Sequence, residues 1–173
     1  MTGFARWTGL LLFAGSSACG YAPVREVVAP GPLAVVRGEG RVADARADDE
    51  AVLGAKAALA REGVAREDGF PRLVIELVRL EERSSGILAA GGDPRARGVT
   101  LTLVGRAYVV GAPDGEPEWE SGDVALSAEI AAGNDPRADA LARDDGLRAL
   151  ARKLGQALVE RRFGYPASAA GRL

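Results

Sequence analysis

The chain has 173 residues, a formal net charge of −2 and no histidine. That length builds one domain with a proper core and little more, and the charge gives no whole-chain argument for nucleic-acid binding. Without histidine, neither a Ser-His-Asp nor a Cys-His arrangement can be assembled, a histidine-containing zinc site is excluded, and the single cysteine, Cys19, can make neither an internal disulfide nor a cysteine-rich metal cluster.

The apolar fraction is 47% but aromatics are only 5%, so the core must be Leu, Val and Ala packing. The cations are almost all Arg, with Lys56 and Lys153 the lysines. Carboxylates, Arg, Ser and Tyr remain for chemistry, and most enzymes are not written with that alphabet. No catalytic residue, metal or cofactor is expected.

Residues 1–18 carry Arg6 behind the amino terminus, the apolar run around Leu10 to Phe13, and the small residues Ser16, Ser17 and Ala18. A positive n-region, a short apolar h-region and small residues before a cut describe a secretory signal peptide. The run is far shorter than the ~20 residues a spanning helix needs. Small residues directly before Cys19 resemble the bacterial lipobox, in which the cysteine sulfur receives a diacylglyceryl group and becomes the first mature residue. Ser16 stands where Leu is usual, so an ordinary cysteine after a plain signal is the alternative. Several acyl chains would hold the protein stably on a membrane. Gly20 after the cysteine points to the outer membrane by the sorting rule of enteric-type bacteria.

Residues 19–32 contain three prolines and read as an extended, lipidated tether. Leu33–Val36 is β-branched and suited to a strand, closed by Gly38 and Gly40. Asp48, Asp49 and Glu50 precede Val52, Ala55 and Leu59 on one stripe, with Gly63 beyond: a helix with acids in its first turn. Pro71–Ser84 is mostly apolar on both faces at its start, as in a central strand, and Ser85–Gly98 is Gly-rich, as in a long hairpin loop. Val99–Val110 alternates, with Val99, Leu101, Leu103, Ala107 and Val109 on one face and Thr100, Thr102, Arg106 and Tyr108 on the other.

A tight turn at Ala112–Pro117 leads to a last strand, Glu118–Ile130, with Val124, Leu126, Ala128 and Ile130 in phase and a bulge at Gly122-Asp123. Asn134-Asp135-Pro136 opens a helix with a capping Asp and Pro at the first turn. Leu141, Leu147, Leu150, Ala151, Leu154 and Leu158 then repeat at three and four up to Arg162, and Gly164 and Pro166 stop it. Residues 165–173 should be a disordered tail. The expected fold is therefore α+β, in the order β-α-β-β-β-α. Two helices cover one face of a four-stranded, mostly antiparallel sheet within a single domain at 33–164.

With those elements in place the chain resembles the LPS-assembly lipoproteins, LptE. Members begin with a lipidated Cys-Gly-aromatic, here Cys19-Gly20-Tyr21 with Arg25, and continue in this element order. The helix end Ala58–Val64, Trp119 at the opening of the last strand and Ala140–Asp145 at the start of the long helix also match. The resemblance spans nearly the whole mature chain through short motifs.

It implies a non-enzymatic, periplasm-facing outer-membrane lipoprotein that plugs the LptD-type β-barrel, assists its assembly and binds lipopolysaccharide on its way to the outer leaflet. A plug needs a rigid layer with a polar surface for a polar lumen. A lipopolysaccharide binder needs Arg, whose planar fork suits lipid A phosphates. The family's basic position at the long helix falls on Arg143, and its basic loop position on Arg95 or Arg97 at the tip of the hairpin loop. The alternatives are solvated surface arginines, and, for the whole chain, a pilotin or chaperone for another secretion barrel.

Three other signals point elsewhere and are weaker. Gly38–Ala43 fits the G-x-G-x-x-A dinucleotide fingerprint, but it does not open a helix directly and no parallel βαβ unit is expected around it. Glu81-Glu82 and Asp144-Asp145 are adjacent in sequence, so neither pair converges on one substrate. Asp48-Asp49-Glu50 lacks the alternating spacing of a calcium loop.

Overall fold

Pairing of the two longest strands organises the molecule. In the computed structural model, which describes residues 31–88, 94–132 and 135–164, β3 (Arg72–Leu88) and β4 (Pro94–Val110) form an antiparallel ladder from Arg72↔Val110 out to Leu88↔Pro94. The signal peptide, Cys19, most of the tether and the 165–173 tail lie outside the described residues.

On the near side of β3 lies β1 (Leu33–Arg37), parallel to it, with the two-residue β2 (Ala65–Arg66) parallel beyond. Against the far side of β4 run β5 (Pro117–Glu120) and β6 (Val124–Ala132), both antiparallel. Helix α1 (Ala45–Arg61) connects β1 to β2, and α2 (Pro136–Arg162) follows β6. Both helices pack on the same face, so the α+β architecture holds, with six strands rather than four among the described residues.

The two extra strands have separate origins. Ala65 and Arg66 are exposed and too short to carry a pattern. The expected last strand is divided at Ser121–Asp123, where Gly122 takes φ +65° and Ser121 Oγ accepts the Ala107 N–H at 2.8 Å, breaking the ladder.

Helix α1 begins earlier than its acids suggest. Asp44 caps it, its carboxylate accepting from Arg46 N and Ala47 N, while Asp48 is buried in the first turn and pairs with Arg37 at 3.2 Å. Helix α2 opens as expected: Asp135 accepts from Arg137 N, with Pro136 at the first turn. Leu141, however, is 64% exposed, because the stripe meets the core only from Leu147 onward.

The hairpin loop expected at Ser85–Gly98 is mostly ladder. Ser85 pairs with Gly98, Gly86 with Arg97 and Ile87 with Ala96. Arg95 and Arg97 therefore have strand backbone rather than loop-tip backbone; their side chains lie outside the described residues. Gly and Ser signal a turn locally, but cross-strand hydrogen bonding overrides that tendency.

β1, α1 and β3 form a parallel βαβ crossover, contrary to expectation. It is still not a dinucleotide cradle. Gly38 and Gly40 are small because they lie on β3: an added Cβ would be 2.6 Å from Glu76 Cγ at the first, and 3.1 Å from the Leu77 carbonyl at the second. The carboxylates of Asp44 and Asp48 already occupy the helix start, where a phosphate would need positive potential.

The core lies between sheet and helices: Leu33, Val35, Leu73, Ile75, Leu77, Leu101, Leu103, Ala107 and Val109 against Leu59, Leu147, Leu150, Leu154 and Leu158. The helices meet each other through Ala51, Gly54, Ala55, Ala151 and Gly155. Among the described residues, no helix is long and apolar enough to cross a membrane.

Candidate functional site

The sheet face turned away from the helices carries the polar half of each alternating strand. On β3 it presents Arg72, Val74 and Glu76, and on β4 Thr102, Arg106 and Tyr108. Register places Glu76 opposite Arg106 and Val74 opposite Tyr108. Here lies a cleft of about 1040 Å³, floored by Arg72, Val74, Glu76, Arg106 and Tyr108 and walled by Arg37–Glu39 and the 112–117 turn.

Glu76 is buried at the centre of this cleft. Its Oε2 accepts from Arg106 Nε at 2.8 Å and Nη2 at 2.7 Å, and its Oε1 accepts from the Tyr108 hydroxyl at 3.1 Å. The side-chain hydrogen bond to Glu76 raises the Arg106 guanidinium above its ordinary value. Burial, and then the bond to Glu76, raises the Tyr108 phenol. With both oxygens engaged, the carboxylate serves as a pin joining β3 to β4. The alternation of Val99–Val110 already placed Arg106 and Tyr108 on this face. What no local pattern could supply is the register that sets Glu76 against them.

Arg143 lies outside this cleft, in the third turn of α2. It donates to Glu82 on β3 and sits 3.6 Å from Asp144. The hydrogen bond to Glu82 raises its guanidinium above the ordinary value despite partial burial. Arg143 thus clamps the start of α2 to the sheet. It also lines a groove of about 460 Å³ together with Arg41, Arg79 and Asp44. Arg79 is partnered by Glu81 at 2.9 Å.

Three arginines distant in sequence thus line one groove, two of them already paired with Glu81 and Glu82, and guanidinium is the group suited to meet an anion there. Reading along the chain could not find Arg41 or Arg79, because their approach depends on the 41–44 segment crossing β3 at its bulge between Leu77 and Arg79. The adjacent acids fare as expected: Glu81 and Glu82 have separate Arg partners, Arg79 and Arg143, and Asp144 and Asp145 likewise, Arg143 and Arg148.

No family model matches the chain, and no curated protein matches it. Among solved structures, a minor lipoprotein from Acinetobacter baumannii is similar at 13% identity and TM-score 0.49, over 77% of this chain and 92% of that one. A lipoprotein from Caulobacter crescentus is similar at 16% identity and TM-score 0.49, over 76% and 88%. The rare lipoprotein B of Shewanella oneidensis is similar at 13% identity and TM-score 0.39, over 78% and 92%. These neighbours are bacterial lipoproteins.

Proposed function

We propose that the chain is an outer-membrane lipoprotein, anchored through Cys19 and facing the periplasm, that binds lipopolysaccharide and serves as plug and assembly partner of an LptD-type β-barrel. The observation that carries this reading is the order and layering of the elements. The LPS-assembly lipoproteins share the expected β-α-β-β-β-α order, which this chain keeps with the two-residue β2 added and the last strand divided into β5 and β6. The fold leaves one broad sheet face polar while both helices close the other. A polar face braced by the ion pair of buried Glu76 with half-exposed Arg106 is what a polar lumen accepts.

The lipopolysaccharide role is supported by the groove at Arg143, where Arg41 and Arg79 add donors of the type that pair with phosphate. Arg95 and Arg97, on β4 beyond it, are the further candidates. Binding and plugging need neither a cofactor nor catalysis.

The test is affinity capture of the C-terminally tagged chain from detergent-solubilised outer membranes, with mass spectrometry of co-purifying barrels. A stoichiometric LptD-type barrel supports the transport reading. Recovery of a different secretion barrel, or of none, overturns it, and a secretin would point instead to a pilotin.

A further inference from the structure

The far edge of the sheet is guarded unevenly. Its first stretch, β5 and the turn after it, carries Pro117, Glu118, Glu120 and Asp123, the kind of charged and proline-marked edge that resists strand addition. Its second stretch, the nine-residue β6, has Glu129 as its one charged residue. Among the described residues β6 pairs with β4 alone, so its outer row of backbone donors and acceptors faces outward. The helix above does not shield that edge. Gly146 sits directly on Ile130, and Ala142, one turn earlier on the same stripe, carries only a methyl group.

We propose that β6 is a self-association edge, at which a second copy of this chain adds its own β6 antiparallel to make one continuous sheet. The strand is complementary to itself when rotated about its midpoint. Rotation about its midpoint, Ala128, sets Leu126 opposite Ile130 on the helix-covered face and Ser127 opposite Glu129 on the open face. Each is a favourable cross-strand pair: aliphatic with aliphatic, hydroxyl with carboxylate.

Moving the axis to Glu129 would oppose two like charges, and moving it by half a residue would put apolar side chains on the polar face. Centring on Ala128 also pairs the whole strand, the longest overlap available. The interface is isologous and closes at two copies, which consumes the edge rather than propagating it. This inference stands independently of the transport reading.

Sedimentation equilibrium of the full chain in detergent tests it. The wild type should show a monomer–dimer equilibrium. S127E creates two symmetry-related Glu–Glu pairs and should weaken dimerisation about tenfold; Ser127 is exposed and gives up one exposed hydroxyl hydrogen bond with Thr102, so the monomer keeps its fold. E129K added to S127E should restore the affinity, because the new carboxylate of one copy then faces the new ammonium of the other. A128C should cross-link to itself under oxidation beyond the level of wild type, whose native cysteine is the control. A wild type that stays monomeric, a dimer indifferent to S127E, a double variant no tighter than S127E, or no added A128C cross-link overturns the assignment.

Discussion

Gly54 of α1 and Gly155 of α2 hold the two helices in backbone contact. A Cβ on Gly54 would overlap the Arg152 carbonyl, and a Cβ on Gly155 would overlap the Ala51 carbonyl. Neither position can gain a methyl group without the helices moving apart.

Gly155→Ala and Gly54→Ala are therefore expected to destabilise the fold, even though alanine favours a helix by about 1 kcal/mol. Backbone atoms cannot swing aside as a side chain can, so the overpacking cost of about 1–3 kcal/mol should prevail. Gly146→Ala is the contrast. Its added methyl meets the flexible end of Ile130, and the change should lie near neutral. Urea unfolding of the three variants checks the ranking.

Glu76 should matter more than its place on the uncovered face suggests. Glu76→Gln loses the ion pair with Arg106 and is expected to destabilise the fold, with Tyr108→Phe costing about 0.5–1.5 kcal/mol. The Tyr108 phenol should ionise above the ordinary tyrosine value. In Glu76→Gln that ionisation should move only part of the way back, because burial is the larger cause. Absorbance titration against Tyr108→Phe isolates the signal.

Asp48 gives a pH dependence of known sign. Burial raises its pKa above 3.8, against the pull of Arg37, so the folded state prefers the neutral carboxyl more than the unfolded chain does. Its contribution to stability is greatest at low pH and is lost as pH rises through the raised folded value. Asp48→Asn mimics the neutral form. Relative to wild type it should be stabilising at neutral pH, with the advantage vanishing below pH 3.8. Paired thermal melts across acid to neutral pH read this out.

Arg143 separates clamp from ligand site. Arg143→Glu should reduce lipopolysaccharide co-purification about tenfold or more, the scale of a lost charge-assisted pair. Arg148→Glu, whose native partner Asp145 is on its own helix, should leave that retention unchanged. The stability cost of losing the half-exposed Arg143–Glu82 pair should stay within about 1 kcal/mol.

What could be read along the chain was whatever depends on near neighbours. The strict alternation of Val99–Val110 located a strand and both its faces, and Asp135-Pro136 with leucines at three and four located α2. The misreadings occur where distant segments decide. Ser85 and Gly86 look like a loop in isolation, and it is pairing with Gly98 and Arg97 that makes them strand. Leu141 fits the helical stripe but finds no sheet beneath it. Likewise the Glu76 pin and the Arg41–Arg79–Arg143 groove are products of register and crossover, and their members are scattered through the sequence.

The parallel seat of β1 has a consequence for the order of assembly. Val35 must wait for Leu73, on the far side of a whole helix, whereas β3 and β4 are paired neighbours close together in sequence. Closing the longer loop costs more chain entropy and comes later. The first strand described is thus expected to dock only after β3 and β4 have paired, so the sheet grows from its middle outward.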